Sequence, residues 1–162
     1  MRTTAIALAI AALLSAAAFC GADAASGNAH ALDFLAGGTW HCTTHMPRKN
    51  GRAGPIQSAD VTFEHLSGNT LHGRFLAHPF MGDQYYGYQN GKWWAVGSEN
   101  LGDYIFQTST DAKTFSGTFG GVHGTTHLVD SYHRASVNEL HIHEVDGTGP
   151  GASSEDTTCV RL

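Results

Sequence analysis

The chain reads as an all-β protein: a closed antiparallel up-and-down β-barrel of about ten strands, entered through a short N-terminal helical turn. Three observations predict it. Twenty glycines are spread among short aromatic and β-branched runs with no sustained 3.6-residue period, the pattern of strands and tight turns. Cys42 and Cys159 lie near opposite ends of what remains once an N-terminal leader is removed, and a disulfide between them lays the first strand beside the last. An even strand number in a meander makes those two strands antiparallel. Opposing the cysteines then sets Trp40 across from Arg161 and Thr44 across from Thr157.

The leader comes first in chain order. Met1 and Arg2 form a charged start, Ala5 to Phe19 is an apolar run, and Ala22-Asp23-Ala24 fits an A-x-A cleavage site. The run is shorter than the roughly 20 residues of a membrane span. Residues 1–24 are therefore expected to be a secretory signal peptide, and residues 25–162 one barrel domain. Loss of Cys20 with the leader leaves an even pair of cysteines, as a periplasmic or secreted address favours. The mature part keeps the formal net charge of −5, which makes nucleic acid and anionic membrane surfaces poor partners. No membrane span is expected in it.

After a helical turn at His30 to Ala36, the strands are expected at Thr39–Met46, Ile56–Leu66, Leu71–His78, Gln84–Gln89, Lys92–Ser98, Tyr104–Ser109, Thr114–Phe119, Thr125–Ala135, Leu140–Val145 and Thr157–Leu162. The Pro47 to Pro55 and Gly147 to Asp156 segments, rich in Gly, Pro or charge, read as long loops. Asn90-Gly91 is a strong hairpin signal and pairs Gln89 with Lys92, Tyr88 with Trp93 and Tyr86 with Ala95. Two-residue turns at Gly68-Asn69 and Asp111-Ala112 pair Leu66 with Leu71, His65 with His72, Thr108 with Phe115, Phe106 with Gly117 and Tyr104 with Phe119. With side chains alternating between faces, Tyr86, Tyr88, Trp93, Tyr104, Phe106, Phe115 and Phe119 become the candidate lining of a common interior. Ten strands enclose more space than a filled barrel, so a cavity for a small hydrophobic or aromatic ligand follows.

Asp33-Phe34-Leu35-Ala36-Gly37-Gly38-Thr39-Trp40, a helical lead into Gly-x-Trp on the first strand, resembles the opening of calycin barrels. These include lipocalin-like and nitrobindin-like members, and the chain also looks like a group of small bacterial secreted barrels. In lipocalins the Trp closes one barrel end under a basic residue from the far end of the chain, a role that the resemblance gives to Trp40 and Arg161. A ten-strand barrel without a following helix is nearer the nitrobindin-like branch, which implies haem on a proximal histidine. His141 and His143 are the candidates for haem or another metal.

Eleven histidines stand out in the composition. His141-x-His143 places two imidazoles on one strand face, a spacing able to hold a metal, while a turn at Val137-Asn138 sets Arg134 opposite His141 and Tyr132 opposite His143. His65 and His72 form a second candidate pair. The chain has no Gly-x-Ser-x-Gly, His-Glu-x-x-His or phosphate-loop signature. A catalytic alternative is a cofactor-free lyase or isomerase using Tyr85, Tyr86, Tyr88, Glu99 and Asp103, and a third reading is a protein inhibitor or envelope factor acting through the two long loops.

Overall fold

Side chains alternate between the inside and the outside along ten strands: β1 (Gly38–His45), β2 (Ile56–His65), β3 (Thr70–Ala77), β4 (Phe80–Gln89), β5 (Lys92–Glu99), β6 (Tyr104–Ser109), β7 (Thr114–Gly121), β8 (Gly124–Ser136), β9 (Glu139–Asp146) and β10 (Ser153–Arg161). Each pairs antiparallel with its neighbours in sequence, and β1 pairs with β10 to close the barrel. The structure, a computed structural model, describes residues 29–46, 54–77, 80–122 and 124–162. The expected signal peptide, most of the Pro47 to Pro55 loop, His78 and His123 lie outside the described residues. No helix among those described is long and apolar enough to cross a membrane.

The seam follows the register that the cysteines impose. Trp40 faces Arg161, Cys42 faces Cys159 and Thr44 faces Thr157, with the disulfide formed and the two threonine hydroxyls hydrogen-bonded at 2.7 Å. The helical lead is a single 3-10 turn, Asp33–Leu35, whose apolar residues plug this end. Leu32, Leu35 and Trp40 are buried there. Trp40 Nε1 donates to the Leu35 carbonyl at 2.9 Å, and the Arg161 guanidinium lies 4.7 Å above the indole while Nη2 donates to the Phe34 carbonyl. Trp93, Phe115 and Tyr86 continue the core inward from the plug. Apolar filling is thus concentrated at the end where the chain enters β1 and leaves β10.

The Asn90-Gly91 hairpin has the expected register, Gln89 with Lys92, Tyr88 with Trp93 and Tyr86 with Ala95, and both turn residues take positive φ. Three other registers differ from the sequence expectation by one residue. At Gly68 the loop holds three residues rather than two, so His65 opposes Leu71 and Glu64 opposes His72, and the expected His65–His72 pair does not form. After β6, Asp111 Oδ1 accepts the Lys113 and Thr114 N–H groups, Ser109 Oγ accepts that of Ala112, and Ala112 adopts φ 58°. That side-chain-capped turn inserts a residue, so Thr108 meets Ser116, Gln107 meets Gly117, Ile105 meets Phe119 and Tyr104 meets Gly120.

Between β8 and β9 the turn is as expected at Ser136–Glu139, but a bulge between Arg134 and Ser136 moves the rest of the ladder. His133 then opposes His141, Ser131 opposes His143, and Tyr132 opposes Ile142. A bulge leaves one residue unpaired and re-aims those beyond it. Arg134, expected beside His141, instead lies 4.8 Å over the Phe34 ring at the plugged end.

Candidate functional site

The half of the barrel away from the plug is not filled. A cavity of about 520 Å³ lies between the ends of the strands there, its apolar lining supplied by Phe75 on β3, Ile105 on β6, Phe119 on β7, Leu128 on β8 and Ile142 on β9. Phe75 lies flat against the wall because its cross-strand neighbour is Gly82; a Cβ at that position would overlap the ring. Tyr132 forms part of the floor, its hydroxyl 3.1 Å from that of buried Tyr86.

Carboxylates share this lining. On β8, counting in twos from Leu128 brings Asp130 and Tyr132 inward; on β9, counting from Leu140 brings Ile142, Glu144 and Asp146; on β10, counting back from Cys159 brings Thr157 and Glu155. Asp130 and Glu144 are directly paired, as are Glu144 and Glu155. Glu99 at the end of β5 and Asp103 in the connection after it add carboxylates, and among the described residues no Lys, Arg or His lines the cavity.

Desolvation in this wall pushes the Glu144 carboxyl up to about 8, with the charges of Asp130 and Glu155 adding to the effect. Burial also raises Asp130, an effect opposed by hydrogen bonds from Gln107 and Glu144. Burial raises Glu155 and Glu99 as well. Two neighbouring carboxyls in one poorly solvated wall cannot both ionise at low cost. Near neutral pH, Glu144 therefore keeps its proton beside Asp130. Gln107 Nε2 donates to the other oxygen, Asp130 Oδ2, at 2.9 Å.

The residues expected to line the interior divide. Tyr86, Trp93 and Phe115 are buried in the core, Tyr88 packs against it, and Phe119 lines the cavity. Phe106 corrects the expectation: the extra residue in the β6–β7 turn reverses its face, and it is 54% exposed; Tyr104, turned the same way and 46% exposed, still borders the cavity. Tyr104 lies over Gly120. In the catalytic set, Tyr85 faces outward and stacks on His72 at 4.7 Å, which separates it from Glu99 and Asp103.

The histidine candidates also face outward. His141 Nε2 is 2.7 Å from Glu139 Oε1 and His143 Nδ1 is 2.7 Å from Asp156 Oδ1, so each imidazole has a carboxylate of its own. His72 lies between Glu64 at 3.1 Å and Asp83 at 2.8 Å, and its pKa is raised, chiefly by the bond to Glu64. Among the described residues no three His, Cys, Asp or Glu side chains are grouped so as to hold a metal ion.

Sequence reasoning gave Asp130, Glu144, Asp146 and Glu155 no place in the cavity. The signal was present in β10: Glu155 shares the parity of Cys159, whose bond to β1 already fixes the inward face.

No family model matches this chain, and none of the curated proteins matches it. Among solved structures, a redesigned β-barrel aligns with a TM-score of 0.42 and 13% identity, covering 82% of this chain and 96% of the other.

Proposed function

We propose that this barrel binds a small, partly apolar molecule in its cavity, in the periplasm or outside the cell. The observation that carries the reading is the cavity itself: about 520 Å³, lined in part by Phe75, Ile105, Phe119, Leu128 and Ile142, within the roughly 300–1,000 Å³ of small-molecule sites. The disulfide suits an oxidising compartment, and the leader expected at residues 1–24 suits export. The Trp40–Arg161 stack supports the calycin-like resemblance. Haem does not fit the residues present. His141 and His143 stand on the outer face, and among the described residues no histidine lines the cavity.

A second reading, a lyase or isomerase, is favoured by one observation. The Asp130–Glu144 pair has an acid held protonated beside a carboxylate, the division of labour that general acid–base chemistry uses.

Thermal unfolding in the presence of a panel of alkyl and aromatic compounds tests the binding reading. At least one compound should raise Tm, and Ile105→Trp, which fills the cavity, should abolish that rise while the variant stays folded. If no compound shifts Tm, or if Ile105→Trp responds as the parent does, the reading fails.

A further inference from the structure

Inside the acidic half of the barrel, hydrogen-bond acceptors outnumber donors. Asp130 is 6% exposed and Gln107 is fully buried. Among the described residues, Asp130 Oδ1, Gln107 Oε1 and Asp146 Oδ1 are buried atoms with no protein hydrogen-bond donor. Asp130 and Asp146 line the cavity, and Gln107 reaches it through the bond to Asp130. A proton on Glu144 serves one of these acceptors and leaves the others. Buried acceptors are costly when left bare, and this group needs N–H donors, preferably charged ones.

A metal ion is a poor answer. No three potential ligands are grouped to hold one among the described residues, and a small hydrated cation would leave the Phe75, Ile105 and Phe119 wall facing nothing apolar. A ligand with a donor head and an apolar body uses both kinds of lining. We propose that the cavity takes an organic cation, a primary ammonium carried on an alkyl or aromatic body, with its head among Asp130, Glu144 and Glu155 and its body along Phe75, Ile105 and Phe119.

This rests on the small-molecule reading above and deepens it. The groups facing the Asp130–Glu144 pair from neighbouring elements are Glu155 on β10, Asp146 on β9, Glu99 and Asp103 across the barrel, and the phenols of Tyr86 and Tyr132. Every one of them is acidic or neutral. An arriving ammonium replaces the Glu144 proton as the donor to Asp130, and that proton leaves to solvent. Binding should therefore tighten as pH rises from 6 to 8, because Glu144, at about 8 in the empty barrel, must ionise. At pH 7 about one proton should be released per ligand.

Isothermal titration of the folded chain with two matched series tests the inference: octylamine, octanol and octanoate; tryptamine, tryptophol and indole-3-acetate. The amines should bind at least about tenfold more tightly than the alcohols, with the carboxylates weakest. Glu144→Gln and Glu155→Gln should each weaken amine binding more than alcohol binding, closing the gap between the two, and repeating the amine titration in buffers of different ionisation heat should report the released proton. Alcohols or carboxylates binding as tightly as the amines would overturn the cation inference while the small-molecule reading stands. Absence of binding by every member of both series to a chain shown folded by circular dichroism would overturn both.

Discussion

Asp130 and Glu144 stand directly opposite each other on β8 and β9 with both carboxyls inside the barrel. Their position makes the fold pH-sensitive in a definite direction. Glu144 is raised from the ordinary glutamate range to about 8, mainly by burial and next by the Asp130 charge. Below about pH 4.5 the folded and unfolded chains both hold this proton. Between there and about pH 8 the unfolded chain releases it and the folded chain does not, so stability falls across that window and levels off above it. The loss should be on the order of a few kcal/mol, read from urea midpoints between pH 4.5 and 9. Glu144→Gln should flatten the profile; a profile equally steep in that variant would place the titration elsewhere.

The disulfide joins residues 117 apart in sequence, so it removes much of the freedom of the unfolded chain. Reduction, or the paired Cys42→Ser and Cys159→Ser change, should cost about 2–5 kcal/mol. Urea unfolding with and without reductant measures it. An unchanged midpoint would show that the seam holds without sulphur.

Arg161 serves the plug in two ways, lying 4.7 Å above the Trp40 ring and donating to the Phe34 carbonyl. Arg161→Ala should cost about 1–3 kcal/mol through loss of both contacts and should alter Trp40 in the near-ultraviolet circular dichroism. Arg161→Lys keeps the charge but not the planar fork, and should recover less than half of the loss. Full recovery by lysine would reduce the role of Arg161 to its charge.

Gly82 keeps the cavity wide. Besides overlapping the Phe75 ring, a Cβ there would come within 2.7 Å of the Ser98 carbonyl oxygen, so Gly82→Val should drive the ring into the cavity. A stability loss of about 1–3 kcal/mol is expected, together with loss of any ligand-induced rise in Tm. Retention of that rise with the barrel destabilised would separate Phe75 from the ligand's path.

The seam could be read from the sequence because two cysteines fix its register without reference to any turn, and the β4–β5 hairpin because Asn90-Gly91 suits one turn type. Faces elsewhere depend on loops whose length is not written in glycine positions alone. A third residue in the Gly68 loop, the Asp111-capped turn and the bulge beyond Arg134 each shift a ladder by one, and one step exchanges inside for outside. That is why Phe106, expected in the interior, lies on the surface, why Tyr104 is half exposed at the cavity's border, and why the His65–His72 pair does not form. The acidic wall went unread for a different reason. Asp130, Glu144 and Glu155 look like ordinary surface residues until the parity of β8, β9 and β10 is carried inward from Tyr132, Leu140 and Cys159.

The central claim is that the unplugged half of this barrel receives the apolar-bodied cation. Backbone amide chemical shifts followed by NMR during an octylamine titration test it most directly. The account predicts saturable changes concentrated at Ile105, Phe119, Asp130, Glu144 and Glu155, with Leu32, Leu35 and Trp40 at the plug unmoved. Changes confined to the outer face around Tyr85, Val96 and Phe106, or no saturable change at all, would contradict it.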